Sequence, residues 1–263
     1  MFRPLIRALT KSAFIVRPVA EESAVRHLGR PSRGELPDRF CLISWNISKA
    51  RHSNWLQNIA AVAGHADFVL LQEAVLHGDR AHQFHESSGF EWVMAQSFMQ
   101  RDRHVTTGLK TGSRVPCVDR VMVRSLTLEP LYDSPKTLLA TRYALPGGRK
   151  DLVIVNIHAV NFVSTRSFAH QIAQLTDLMR AHDGPMIVAG DFNTWNPRRT
   201  RMLFATAQQH GLVRAPVRTK NWRHMNLVLD HIFFRGFELE RASAMVEIKG
   251  SDHVPLKAEF KLG

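Results

Sequence analysis

With 263 residues and 44% hydrophobic content, the chain can bury a large core, which excludes a disordered tail or a fibrous protein. Its two cysteines, Cys41 and Cys117, stand far apart with no CxxC pattern, which argues against a disulfide framework or a thiolate zinc site and for a reducing, cytoplasmic setting. Lysine and arginine outnumber aspartate and glutamate by 35 to 23, a formal charge of +12 that favours polyanionic partners such as nucleic acid or acidic lipid.

No stretch approaches the roughly 20 uninterrupted apolar residues that cross a bilayer. The opening segment MFRPLIRALTKSAFIVRPVA carries no acid, and Arg3, Arg7, Lys11 and Arg17 break up any apolar signal core. It reads as a solvated basic tail, with an amphipathic membrane-surface or transit segment as the second reading. Gly29, Pro31, Gly34 and Pro37 punctuate a linker, so residues 1–37 are expected to be tail and linker, and 38–263 a single domain.

Within that domain, 40–45 (FCLISW) reads as a buried strand and 55–63 as an amphipathic helix with Leu56, Ile59, Ala60 and Ala63 on one face. Residues 67–72 (DFVLLQ) read as the next strand. Further strands are expected at 120–126, 136–144, 151–157, 186–189, 227–234, 237–247 and 254–260, and helices at 164–182 and 198–210. Many strands and few helices imply sheets covered by helices on the outside.

Polar residues punctuate the strand ends. SWN places Asn46 past the first strand, LLQE places Glu73 past the second, and VNIH ends a third with His158. GDFN supplies Asp191 and Asn193, LDHIFF places Asp230, and GSDHVPL sets Asp252 and His253 before the last strand. Strand ends along one sheet edge let residues distant in sequence converge on one cleft. Carboxylates without thiolates suit a hard divalent cation, above all Mg2+ or Mn2+, which takes oxygen ligands and keeps substrate phosphates in its shell. Phosphoryl transfer needs such a cation, donors for the charged centre, which Asn193, Asn46 and a protonated His253 can supply, and a base or orienting acceptor such as Asp191. Asp230 can hold the His253 imidazole in one tautomer.

Taken together, SWN, LLQE, NIH, GDFN and SDH resemble the endonuclease/exonuclease/phosphatase superfamily over 38–263, and the run VNIHAVNF looks like its bacterial YafD group. The resemblance implies a four-layer α/β/β/α sandwich of DNase I type and a metal-dependent phosphoesterase, either a nuclease or a phospholipid or phosphoinositide hydrolase. It implies that Glu73, Asp252 and Asn46 serve the metal, that Asp191 aligns or deprotonates water, that Asn193 binds phosphate, and that His253, Asp230 and His158 complete the machinery. Ser48 stands where the abasic-site nucleases carry an acid, and His231 where many relatives carry tyrosine.

No acid occurs between Phe192 and Leu229, whereas Trp195, Arg198, Arg199, Arg201, Arg214, Arg218, Lys220, Trp222 and Arg223 all do. These residues are expected to form a rim that tracks a phosphate backbone and stacks on bases, making nucleic acid the favoured partner; the competing readings are an ordinary solvated basic face, an anionic membrane surface, or a binding module without turnover. No obligate protein partner is expected. His77, His82 and His85 include an HxxH pair with no fourth ligand at matching spacing and read as a solvated helix rather than a zinc site.

Overall fold

The apolar runs of this chain carry hydrophobic side chains at successive positions, and a strand of that kind is stable only where both of its faces are covered. In the computed structural model, which describes residues 16–20, 23–76, 78–100, 105–130, 134–217 and 228–263, that covering produces two sheets packed face to face. The eight-stranded sheet holds β1 (Val16–Pro18), β2 (Val25–Gly29), β3 (Arg39–Asn46), β4 (Phe68–Leu76), β5 (Glu91–Gln100), β6 (Val105–Ser113), β13 (Phe237–Ala244) and β14 (Leu256–Leu262). The six-stranded sheet holds β7 (Asp119–Glu129), β8 (Ser134–Tyr143), β9 (Leu152–His158), β10 (Met186–Asp191), β11 (Val213–Arg214) and β12 (Asp230–Arg235). The helices are α1 (Trp55–Ala63), α2 (Gly78–Ser87), α3 (Thr165–Arg180) and α4 (Pro197–Gln209).

Successive strand side chains point to opposite faces, so the central strands contribute to two cores. Phe40, Leu42, Phe68, Leu70, Ile154, Ile187 and Phe260 meet between the sheets. Their neighbours Ile43, Trp45, Val69 and Leu71 pack outward on Ile59 and Val62 of α1. On the far side, Val153, Val155, Met186 and Val188 pack on Phe168, Ile172 and Leu175 of α3 and Leu203 of α4. Each such buried aliphatic or aromatic side chain contributes about 1.5–3 kcal/mol, which makes the α/β/β/α sandwich the favoured arrangement of these sequences.

The helices begin where their sequences say they should. Ser164 accepts from the Ser167 N–H ahead of α3, which buries Phe168, Ile172, Leu175 and Met179 along one stripe. Asn196 accepts from the Arg198 and Arg199 amides ahead of α4, with Pro197 in the first turn.

Two features depart from the sequence reading. The tail and linker expected over 1–37 is part of the sheet where it is described: β1 pairs with β5 through Val16 and Gln100, β2 pairs with β5 through Val25 and Ala95, and Leu36, 2% exposed, joins the inter-sheet core. Residues 1–15 lie outside the described residues. The β5–β6 hairpin is the second departure. Its strands are disguised by Thr106, Thr107, Gly108, Lys110 and Gly112, and Gly112 is there because the Trp92 ring lies across it, 2.6 Å from where a Cβ would stand.

Candidate active site

Strand register brings the polar residues together. β9 and β10 run parallel with His158 opposite Asp191, and β12 runs antiparallel with Asp230 opposite Asp191. In the facing sheet β3 ends at Asn46, opposite Gln72, and Glu73 follows. The connection between β13 and β14 returns Asp252 and His253 to this same edge, where the Trp45 indole donates to the His253 carbonyl at 3.0 Å and the Ser251 hydroxyl donates to the Asn46 carbonyl at 2.6 Å. Gly190, at φ +146°, is required for that register, because a Cβ there would lie 2.0 Å from the Ile157 carbonyl oxygen.

Backbone strain gathers at the same edge. Glu73 has φ +50°, at the point where β4 slips register against β6, and Asn193 has φ +49°. Ser48, Lys49 and Ala50 form a left-handed turn with φ of 50°, 57° and 51°. Each non-glycine residue in that region costs about 1–2 kcal/mol, so its place is specified by its surroundings rather than by its own preference.

Asp191, 2% exposed, is the hub. Its Oδ2 accepts from Asn46 Nδ2 at 3.0 Å and its Oδ1 from the Asn193 backbone N–H at 2.9 Å. Oδ2 also lies 3.5 Å from His158 Nε2 and 3.9 Å from His253 Nε2. His253 Nδ1 donates to Asp230 Oδ2 at 2.7 Å. One N–H of the Asn193 side chain donates to the Ala159 carbonyl at 2.8 Å, which fixes the plane of its amide.

Protonation follows from these neighbours. Burial works against a charged His253, but Asp230 outweighs it, with Asp191 and Asp252 adding to the effect, and pushes the imidazole up to about 10. Burial raises the Asp191 carboxyl above the ordinary range despite the charge of His253. Burial, then Lys136, holds His158 well below the ordinary histidine value. The edge at neutral pH therefore presents one imidazolium and one neutral imidazole on either side of a carboxylate. Burial alone would raise Asp252, but the His253 charge and donors that include the Ser48 and Ser251 hydroxyls hold it below the usual value.

Glu73 lies among cations. Lys49 Nζ is 3.9 Å from Glu73 Oε2, and Lys136 Nζ is 4.0 Å from Glu73 Oε1. Lys136 Nζ donates to His158 Nε2 at 3.2 Å and lies 3.3 Å from Glu129 Oε2. Asp230, His253, Asp191, His158, Lys136, Glu73 and Lys49 thus form one continuous row of contacts.

Ligand atoms of Asp191, Asp230 and His253 lie within 4.8 Å of one another, a grouping able to hold a metal ion. The charged His253 is committed to Asp230, so the donors at this edge suited to a cation are oxygens: those of Asp191, Asp230, Glu73 and Asp252, and the side-chain carbonyl of Asn46, which also accepts from the Ser48 N–H at 3.0 Å. That donor chemistry fits a hard divalent ion.

The family model of the endonuclease/exonuclease/phosphatase family matches residues 43–253, the span that carries every one of these side chains. The chain belongs to that family. Among its relatives, a UPF0294 protein of Vibrio vulnificus is 33% identical over 227 residues, covering 85% of this chain and 78% of its own. The fold is also that of solved family structures. An endonuclease/exonuclease/phosphatase from Beutenbergia cavernae superposes with a TM-score of 0.67 at 20% identity, over 86% of this chain and 72% of its own. The mannosyl-6-phosphatase of Bacteroides thetaiotaomicron does so with a TM-score of 0.62 at 16% identity, over 84% of this chain and 99% of its own. Members of this family hydrolyse phosphoester bonds.

Against this family background, the structure brings together Asn46, His158, Asp191, Asn193, Asp230 and His253, and places Glu73 and Asp252 at the same edge. The expected rim fares differently. Arg198 and Trp195 are exposed, the latter at 40%. Arg199 is not on the rim: it is fully buried and donates to the carbonyls of Val160, Val163 and Asn193 at 2.9, 2.8 and 3.2 Å. It ties the loop after His158 to the loop after Asp191, with its guanidinium 4.8 Å from the Trp195 ring. Arg218, Lys220, Trp222 and Arg223 lie outside the described residues. His85, read as solvated, is buried against Lys110 Nζ at 3.1 Å. Sequence reasoning missed Lys49 and Lys136. Their signal was a lysine three residues after Asn46 and another opening an apolar strand.

Proposed function

We propose that the chain is a divalent-metal-dependent phosphoesterase that cleaves phosphodiester bonds of nucleic acid. The observation that carries the reading is the buried row in which an imidazolium held by Asp230 and the amide of Asn193 flank the carboxylate of Asp191. Asp191 orients the attacking water and takes its proton, a role to which its raised pKa and its contacts with Asn46 and Asn193 suit it. Asn193 has one side-chain N–H fixed by Ala159 and the other for a phosphoryl oxygen. His253 Nε2–H, opposite the Asp230 contact, donates to the charged oxygen as the bond to phosphorus breaks. Glu73, Asp252 and Asn46 would hold Mg2+ or Mn2+, which supplies charge compensation on the phosphoryl oxygens when bound.

The acid-free stretch after Phe192 supports nucleic acid as substrate, since Arg198, Arg201 and Trp195 are exposed beside the Asn193 loop. The test is hydrolysis of DNA, RNA, phospholipid and inositol phosphates with added Mg2+ or Mn2+. The expected result is EDTA-sensitive cleavage of a nucleic acid that falls about a hundredfold or more in His253→Ala. Activity on lipid vesicles alone would reassign the substrate, and inertness on every substrate would overturn the reading.

A further inference from the structure

We infer that Lys49 and Lys136 form an anion subsite beside Glu73, which accepts one non-bridging oxygen of the substrate phosphoryl group once Glu73 has given its charge to a divalent cation. This rests on the phosphoesterase reading above and adds to it the residues that bind the phosphate and the order in which they become available.

Three observations converge on it. The first is distance. At 3.9 and 4.0 Å, both ammonium groups are near enough to Glu73 to feel its charge and too far to donate a hydrogen bond to it, since an N–H···O bond spans about 2.7–3.2 Å. Lys136 is shared besides with Glu129 Oε2 at 3.3 Å and His158 Nε2 at 3.2 Å, so it is not committed to Glu73 alone. The second is placement. The side chains of Lys49 and Lys136 are only 16% and 10% exposed, so each cation has given up most of its water. Lys49 is delivered by the left-handed turn at Ser48, Lys49 and Ala50, a conformation that costs energy and is retained at the edge of the site. The third is space. A cavity of about 10 Å³ opens between the two lysines, Glu73 and His158, closed on its other side by Phe98, Leu109 and the mutually bonded Ser97 and Thr137. That is room for roughly one water. A single phosphoryl oxygen fits it, and a whole phosphate group does not.

The charges then dictate how the subsite works. Glu73 faces two ammonium groups. A divalent cation taking that carboxylate meets two like charges within a few ångströms, that of Lys136 offset in part by Glu129 at 3.3 Å, and the remaining repulsion persists in a site so poorly hydrated. An anion placed between the cation and the lysines removes the repulsion. Metal and phosphate must therefore strengthen each other's binding, by the same factor in either direction. Lysine suits this role because its compact ammonium presents several donors on a flexible stem and can turn from one acceptor to another. The other end of the row, with His253 and Asp230, remains free of this duty and handles the proton.

The experiment is calorimetric titration of Mn2+ into the full chain with and without inorganic phosphate. In the native chain, saturating phosphate should raise Mn2+ affinity roughly tenfold, within the usual range of site coupling. In Lys136→Met the enhancement should fall to about twofold or less while Mn2+ alone binds more tightly, because Glu73 has lost a competing cation. A merely damaged site would bind Mn2+ more weakly, so the opposite sign separates the two. Lys49→Met should act in the same direction and Lys136→Arg should keep the coupling, with circular dichroism confirming folding, so that these carry the test if Lys136→Met does not fold. Unchanged coupling in the lysine variants, or weaker binding of Mn2+ alone, would overturn the subsite while leaving the phosphoesterase reading intact. Failure of the native chain to bind Mn2+ at all would overturn both.

Discussion

Asp230 acts through one short contact. By accepting from His253 Nδ1 at 2.7 Å, it keeps the opposite nitrogen protonated and turned toward Asp191. The sign of the pH dependence follows. His253 has its folded pKa raised to about 10, so its charge-linked stabilisation is complete below the ordinary histidine value and is lost as pH rises through 10. Activity that needs the imidazolium should show its alkaline limb in the same place. Replacing Asp230 by asparagine preserves shape and removes the charge, which should bring that limb down by roughly 1–3 pH units. The pH profile of kcat/KM for Asp230→Asn measures this, and a limb that stays where it was would remove Asp230 from the account.

At the scale of elements, the site depends on how closely β9 and β10 approach. Gly190 leaves no room for a Cβ against the Ile157 carbonyl, whereas Gly147, in a surface turn at φ +76°, has nothing within 4 Å of one. Gly147→Ala should cost about 1 kcal/mol from conformation alone. Gly190→Ala forces the strands apart and should cost several times as much, roughly 3 kcal/mol or more, with the Asp191 and His158 register lost. Urea unfolding of the two variants checks the contrast, and equal losses would show that the strand spacing is not what positions Asp191.

The whole molecule adds a tie between its halves directly behind the site. Gln72, adjacent to Glu73, donates to Asn156 Oδ1 across the sheets at 2.8 Å, and Asn156 donates in turn to the Lys110 carbonyl at 3.0 Å, with both side chains fully buried. These buried amide hydrogen bonds fix one sheet against the other, because any shift would leave the Gln72 and Asn156 donors unpaired.

Much of this was readable from the chain. Strand ends such as VNIH and GDFN announce themselves because an apolar run buried on both faces stops abruptly at a polar side chain, and Asp230 with His253 could be paired by chemistry alone. The β5–β6 hairpin was not readable, since glycine, threonine and lysine there are chosen for what packs over them, and the pairing partners of β1 and β2 are far away in sequence. Arg199 looked like a rim residue because composition cannot distinguish a guanidinium facing solvent from one that caps three carbonyls. Lys49 and Lys136 escaped because their meaning lies in their distance from Glu73.

The central claim is that these scattered residues serve one hard cation at the sheet edge. Anomalous diffraction from crystals of the full chain grown with Mn2+ tests it most directly. A single strong peak bound by Glu73, with Asp252 and Asn46 on its near side, is the predicted result. A peak elsewhere, or none at this edge with Mn2+ in excess, would contradict it.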